Sequence, residues 1–447
     1  MFYTNLLSEV ITGNPNFSYY ASYSNSGFLD LSRGIQLTIN HNQSQSITIN
    51  HNQSQLITIN HNIIKKVIHF MYNKKFSVSF DNQIRTTEHI SFLINNAKES
   101  GAKGVTLVIS AGYMPEMNTL SDYLKTLDIS VSGAIFPEII YDDSYYSDAA
   151  LVIATYYPIQ VRTFLDISNK KSELYTESNS DINPPDIEAC LIFVDAKAKC
   201  LEDALDALYY RNEFDYKYAG GGAGYLKDNK EPCIFTNDGI VEDALQTISL
   251  PLNQDNQLCH GWTPLSGPHI ATQASGNRLI ALDYLPIKEQ YRKFIQDKVS
   301  EDISDKPIEE LLSQYPIGIK HYGEEVIVRD PYRYHDDAIE FMGDIPEFSN
   351  IYILSGEPES LLDYVDQNLN KSIIETKTNS NLSLIFSCVG RRSHMGSVSD
   401  IELSRVSKAL KPTQAIIGTA SLGELVTNEA GLLRLHNMSL VVTRFYK

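Results

Sequence analysis

Basic residues are in short supply: 37 lysines and arginines face 55 acidic residues, a formal net charge of -18. Such a surface repels phosphate backbones and anionic lipid, which argues against nucleic-acid binding and peripheral membrane attachment and favours a basic partner or a small molecule. Cysteine is scarce as well. Cys190, Cys200, Cys233, Cys259 and Cys388 are odd in number, scattered, and contain no C-x-x-C pair, so neither a disulfide framework nor a cysteine zinc site is expected and the chain reads as built for a reducing compartment. Long apolar runs are missing too. None approaches the roughly 18 residues of a membrane helix, and residues 1–13 lack the basic start and apolar stretch of a signal peptide. The expected location is the cytoplasm, with no membrane partner.

What the chain does have is apolar content of 43% over 447 residues, more than one ordinary core holds, so two packed units are expected. Near the start, residues 47–55 almost copy 37–45, and 57–62 begin a third copy. A ten-residue period is too short for helical solenoids and unlike β-helix periods. Each copy reads as a short polar strand closed by an Asn/Ser turn, a local duplication in a tolerant segment. The equal spacing of His41, His51 and His61 raises a three-imidazole metal site, although no acidic or cysteine co-ligand accompanies them.

Beyond this tract, strand and helix patterns alternate. Residues 75–80 alternate as a strand, 86–100 carry helical spacing through Ile90, Leu93, Ile94 and Ala97, and 105–110 form an apolar strand. A helix over 119–127 and a strand over 129–135 follow. Strand signals dominate from 149, interrupted by a helix at 201–209, and Gly276-Asn277 reads as a hairpin turn. Pro286 suits the first position of a helix ending near 298, and the charged stretch 300–307 makes a linker. The alternation resumes in strands at 325–328, 351–354, 382–387, 414–418 and 438–443, with helices at 359–369 and 400–410. The expected fold is α/β, a two-part mixed architecture with mixed sheets in which the halves share a ligand crevice. Its parts are an extension over 1–74, a domain over 75–299 and another over 308–447.

Three segments carry candidate ligand contacts. The run Ala219-Gly220-Gly221-Gly222-Ala223-Gly224 lets the backbone approach another group closely, but it matches neither the dinucleotide fingerprint nor a Walker motif. A tight turn against a neighbouring strand is one reading, and a ligand contact at Gly222 the other. Residues 259–269 hold the one tryptophan, Trp262, with His260 and His269. An aromatic surface beside imidazoles suits a pocket wall, and one neutral imidazole suffices for a haem axial ligand, His260 first and His269 second. A histidine simply hydrogen-bonded in the core is the alternative. Cys388 and Arg391 follow one apolar strand and Glu424 another, and ligands collect at the carboxyl ends of strands in α/β sheets. Arg391 or Arg392 would take a ligand carboxylate and Glu424 an amine, or arginine and glutamate form a structural pair. No G-x-S-x-G, H-E-x-x-H or phosphate loop is present, and no enzyme is expected.

In combination these residues resemble the FIST family of sensory domains. The FIST N part is carried by 219–225, His260-Gly-Trp-Thr-Pro-Leu, Thr272, Gly276-Asn277 and Leu282-Asp283. The FIST C part is carried by Phe386, Cys388, Arg391, Glu402, Gly418, Gly423-Glu424 and His436-Asn437. The resemblance implies a cytoplasmic small-ligand sensor that signals to a histidine kinase or a cyclic-di-GMP enzyme, with amino acids as proposed ligands. Some stand-alone members bind haem and sense nitric oxide, which makes haem the cofactor the resemblance implies; a homo-oligomer stays open. Ala420, Ser421 and Leu422 replace the aromatic residue often found before Gly-Glu in the family, and residues 1–74 lie outside the match.

Overall fold

In this computed structural model the described residues are five early strands and residues 75–446, apart from 84, 114, 176–188, 212–215, 228–230, 321–325, 377–381, 412–414 and 429–430. The early strands, Ala21–Tyr23, Phe28–Leu31, Ile35–Thr38, Ile47–His51 and Gln55–Ile59, form an antiparallel meander in chain order. The decapeptide copies thus place strand where polar strand was expected. Their turns, with His41 and His61, lie outside the described residues.

The remaining described chain contains eight α-helices and four sheets and is mixed α/β, as expected. Three of the sheets follow one plan. At the centre of each lie two parallel strands with a helix between them, the arrangement that a parallel crossover requires. They are Gly104–Ser110 with Ser130–Phe136, Ala189–Asp195 with Lys217–Ala223, and Leu382–Cys388 with Ile416–Ser421. All three first strands are buried along their whole length, which is why they read as unbroken apolar runs rather than alternating ones. A third strand returns antiparallel to the first: Ala150–Thr155, Leu245–Leu250 or Leu440–Tyr446. An edge strand completes it: Phe76–Asp81, Gln160–Phe164 or Asn253–Cys259.

Between the second and third strands each repeat sends out a hairpin that pairs with the second strand of a different repeat. The hairpin of the first repeat, Glu138–Tyr141 with Ser144–Tyr146, joins the third sheet; that of the second, Ile234–Thr236 with Gly239–Val241, joins the first. The hairpin of the third, Glu424–Thr427 with Leu433–His436, joins the second. The exchange closes a cycle. One core lies inside it, drawing on Leu107, Phe136, Phe193, Ala219, Phe386 and Val441 among others, with Phe193 5.5 Å from Phe136 and 6.5 Å from Phe386 between ring centroids.

Close approach of the two central strands is met by glycine each time. Gly133, Gly220 and Gly418 face Leu107, Ile192 and Ile385, and a Cβ on any of them would run into the facing carbonyl oxygen. The glycine-rich run is therefore a buried strand rather than a turn.

The third repeat is split. After its edge strand, residues 263–355 build an eight-stranded sheet that carries the helices Ile287–Gln296 and Ile308–Gln314. Residues 300–307, expected as a linker, instead join two helices of one core, with Ile303 buried among Ile295, Ile308 and Leu311. The expected halves are interwoven, because three sheets take strands from both sides of that stretch. Among the described residues no helix is long and apolar enough to cross a membrane.

Candidate functional site

Because the repeats share a register, each position has counterparts, and one place breaks the pattern. Ile139 and Ile234 sit opposite Thr419 and Ala134, the residues after the packing glycines. The same place in the third repeat, opposite Gly221, is Glu424. The two isoleucines and the glutamate are all fully buried. The residue ahead of the third strand is Ala149, Ala244 or Ser439, and its carbonyl accepts from Ser110, Asp195 or Cys388 respectively. The residue opposite the isoleucine or glutamate is Tyr146, Val241 or His436. The second central strand ends in Phe136, Ala223 or Ser421. The third repeat has thus put a carboxyl, an imidazole and two hydroxyls where its sisters have mainly apolar groups.

Glu424 Oε1 accepts from the Ser421 hydroxyl at 2.8 Å and Oε2 from the Ser439 hydroxyl at 2.7 Å. Burial nonetheless raises its pKa from 4.5 to about 8, since desolvation penalises the charged form. Cys388 lies in the same field: burial, then Glu424 and Asp330, push its thiol upward. Asp330 is raised by burial to about 7, and its carboxylate occupies the space a side chain on Gly390 would need. His436 is lowered by burial to about 3 and is therefore neutral. Both of its ring nitrogens, Asn437 Oδ1 and Thr419 Oγ1 are buried with no hydrogen-bond partner. Orphaned polar atoms are rare in native interiors and each is expensive.

Several residues singled out in the sequence surround this cluster. Trp262 Nε1 donates to the Met438 carbonyl at 2.9 Å, and Arg391 Nη1 donates to it at 3.3 Å and to the His260 carbonyl at 2.6 Å. They clamp the turn between His436 and Ser439. Arg391 also binds Glu402 through Nε and Nη2 at 3.1 and 2.7 Å. Its donors are committed inside the protein, so the structural ion pair considered for it exists, with Glu402 rather than Glu424 as partner. Arg392 pairs with Glu138 and stacks on Tyr145. Gly222 exchanges backbone hydrogen bonds with residues 422 and 423, both at 2.9 Å, and so fixes the approach to Glu424. Cys388 and Glu424 are thus brought together, Trp262, His260, Arg391 and Gly222 hold their surroundings, and His269 lies elsewhere, in the inserted sheet. Sequence reasoning missed Ser421, Ser439 and Asp330 as site residues. The available signal was the repeat register, which no motif reveals.

The two histidines considered for haem are both engaged within the protein. His260 is 6% exposed, its Nδ1 accepts from the Trp262 amide at 3.0 Å, and its ring stacks on Tyr364. His269 engages Ser266 and Asp283 through its two nitrogens. A surface depression of about 400 Å³, lined by Asp366, Leu369, Arg405, Lys408 and Ala409, contains neither. Among the described residues no group of three or more His, Cys, Asp or Glu is placed to hold a metal ion.

The buried carboxyls set a pH dependence. Between pH 4.5 and 8 the folded chain holds the Glu424 proton that the unfolded chain has released, so stability falls as pH rises through that window. Asp330 acts in the same direction up to about pH 7. His436 opposes them only below 6.5, where folding excludes its proton. Between pH 7 and 8 Glu424 contributes to that decline. Urea unfolding of Glu424→Gln should show that part of the decline gone; a slope equal to wild type would remove Glu424 as its source.

Comparison with known proteins gives two family matches: the FIST N domain over residues 105–284 and the FIST C domain over residues 289–427. No curated protein matches the chain. FIST domains are associated with small-ligand sensing in signalling proteins. The two matches together cover most of the described chain and meet within the inserted sheet, so the chain carries a FIST N domain followed directly by a FIST C domain.

Proposed function

We propose that this protein is a small-ligand sensor whose site is the buried polar cluster of the third repeat, and that it relays binding to a signalling partner such as a histidine kinase or a cyclic-di-GMP enzyme. The observation that carries the reading is the exchange of buried isoleucine for Glu424, together with the orphaned polar atoms of His436 and Asn437 beside it. A ligand rich in donors and acceptors satisfies these atoms, and an amine beside Glu424 would convert it to the carboxylate. Amino acids are the first class to test.

The cluster is closed, so entry requires the inserted sheet to part from the third repeat. Trp262, Val328, Leu354, Leu361 and Met438 form the apolar seam between them. A ligand that binds better to the opened arrangement shifts that equilibrium, and the partner reads the shift.

The test is a thermal-shift panel of amino acids and simple amines. A ligand present at 100 times its Kd adds about 2.7 kcal/mol of stability. A hit that disappears in Ser439→Ala supports the site; no hit across the panel favours an interaction scaffold. Haem belongs in the same experiment, since a Soret band lost in His260→Ala would move the site away from Glu424.

A further inference from the structure

The inserted sheet carries a second constellation, unrelated to the ligand cluster. Ser266 Oγ lies 2.9 Å from His269 Nε2, and His269 Nδ1 lies 2.8 Å from Asp283 Oδ2. Residues three apart on a regular strand point to opposite faces. Here the strand Thr263–Ser275 pairs with Asn350–Ser355 through register shifts between Pro264 and Ser266 and again between Ser266 and His269, with Gly267 at φ 127° between them. Such irregularities re-aim side chains, and this one brings serine and histidine together.

Two further contacts fix the imidazole. The second Asp283 oxygen accepts from the Ile270 amide at 2.8 Å, which holds the carboxylate in place. The His269 ring lies on Phe294, with centroids 3.7 Å apart and planes 12° apart. A carboxylate facing Nδ1 favours the tautomer with its proton there, leaving the Nε2 lone pair for the serine hydroxyl. The group is within reach of solvent: the His269 and Asp283 side chains are 12% and 37% exposed, and Gly267, directly after the serine, is exposed. Ile270, Tyr284 and Leu285 beside it are 41%, 80% and 52% exposed, an apolar border that an aqueous surface ordinarily avoids gathering in one place.

We propose that Ser266, His269 and Asp283 form a nucleophilic triad that accepts the acyl group of small esters with an apolar acyl chain. The Ser266 oxygen bonds to the ester carbonyl carbon while its proton passes to His269 Nε2. The carbon–alkoxide bond then breaks, and the departing alcohol takes that proton. Water attacks the acyl-serine in turn, gives its proton to Nε2, and the Ser266 oxygen leaves as the hydroxyl with the proton returned. Asp283 stabilises the imidazolium in both halves.

A fluorophosphonate probe tests this on the full chain, because it phosphonylates only an activated serine and loses fluoride in doing so. The expected result is one label per chain, located at Ser266 by peptide mass, with p-nitrophenyl butyrate hydrolysed above the buffer rate. Ser266→Ala should abolish both, and His269→Gln should slow labelling about 100-fold or more while circular dichroism shows the fold retained. The proposal is overturned by labelling no stronger than in heat-denatured protein, by a label at another residue, or by a His269→Gln protein that labels at the wild-type rate. If His269→Gln does not fold, Asp283→Asn is read in the same way.

Discussion

Gly220→Ala should leave too little native protein to measure, a loss of more than about 4 kcal/mol. The added methyl would fall on the Ile192 carbonyl oxygen, a backbone atom in a fully buried parallel pair that cannot swing aside as a side-chain end can. Gly133→Ala and Gly418→Ala meet the same obstacle at Leu107 and Ile385 and should behave alike. Gly396→Ala is the comparison: that glycine has φ 54° and ψ -130° but nothing within 4 Å of a Cβ, so only the backbone preference is lost, about 1 to 3 kcal/mol. Urea unfolding of the four variants separates crowding from conformational preference, and mild effects at all three strand positions would contradict the shared packing of the repeats.

This prediction also marks where the sequence stopped being legible. Strands such as Ala150–Thr155 and Ile234–Thr236 were readable because they are short apolar runs with β-branched residues, and the helix Thr87–Glu99 because Ile90, Ile94 and Ala97 fall on one face behind a Thr86 cap. The hairpins of the first and third repeats were not. Glu138–Tyr141, Glu424–Thr427 and Leu433–His436 are four residues each and owe their pairing to a strand from another repeat, information that no local window holds. The threefold plan was hidden for the same reason. Its repeats share a register and a glycine, whereas Glu424 and Ile139 look unrelated until both are seen against equivalent strands. Cys388 and Glu424 could be placed near one crevice from their positions after apolar strands; that Arg391 is committed to Glu402 could not, since the carboxylate comes from a helix eleven residues away.

The buried Arg391 gives the second large effect. Glu402→Leu should destabilise the protein by about 3 to 5 kcal/mol, because it strands a guanidinium that is fully buried. Arg391→Met combined with Glu402→Leu should recover much of that loss, as apolar pairs often replace buried ion pairs without penalty. Chemical denaturation of the single and double variants measures the coupling directly. An arginine kept chiefly to hold a ligand carboxylate would give the opposite pattern, with Glu402→Leu near neutral in the ligand-free protein.

The Met438 carbonyl held by Arg391 and Trp262 connects this pair to the ligand cluster, so the double variant should also bind ligand less well while folding normally. Stability and binding are therefore separable there.

The most direct measurement returns the third repeat to the residues of its sisters. A variant carrying Glu424→Ile and Ser439→Ala replaces buried polar groups with the side chains that stand at the equivalent places in the second repeat, Ile234 and Ala244. Isothermal titration of this variant with the ligand found by thermal shift, beside its melting temperature without ligand, tests whether the polar cluster is the site. The account predicts a melting temperature at or above that of wild type and affinity lower by 100-fold or more. Unchanged affinity in a folded variant would contradict it.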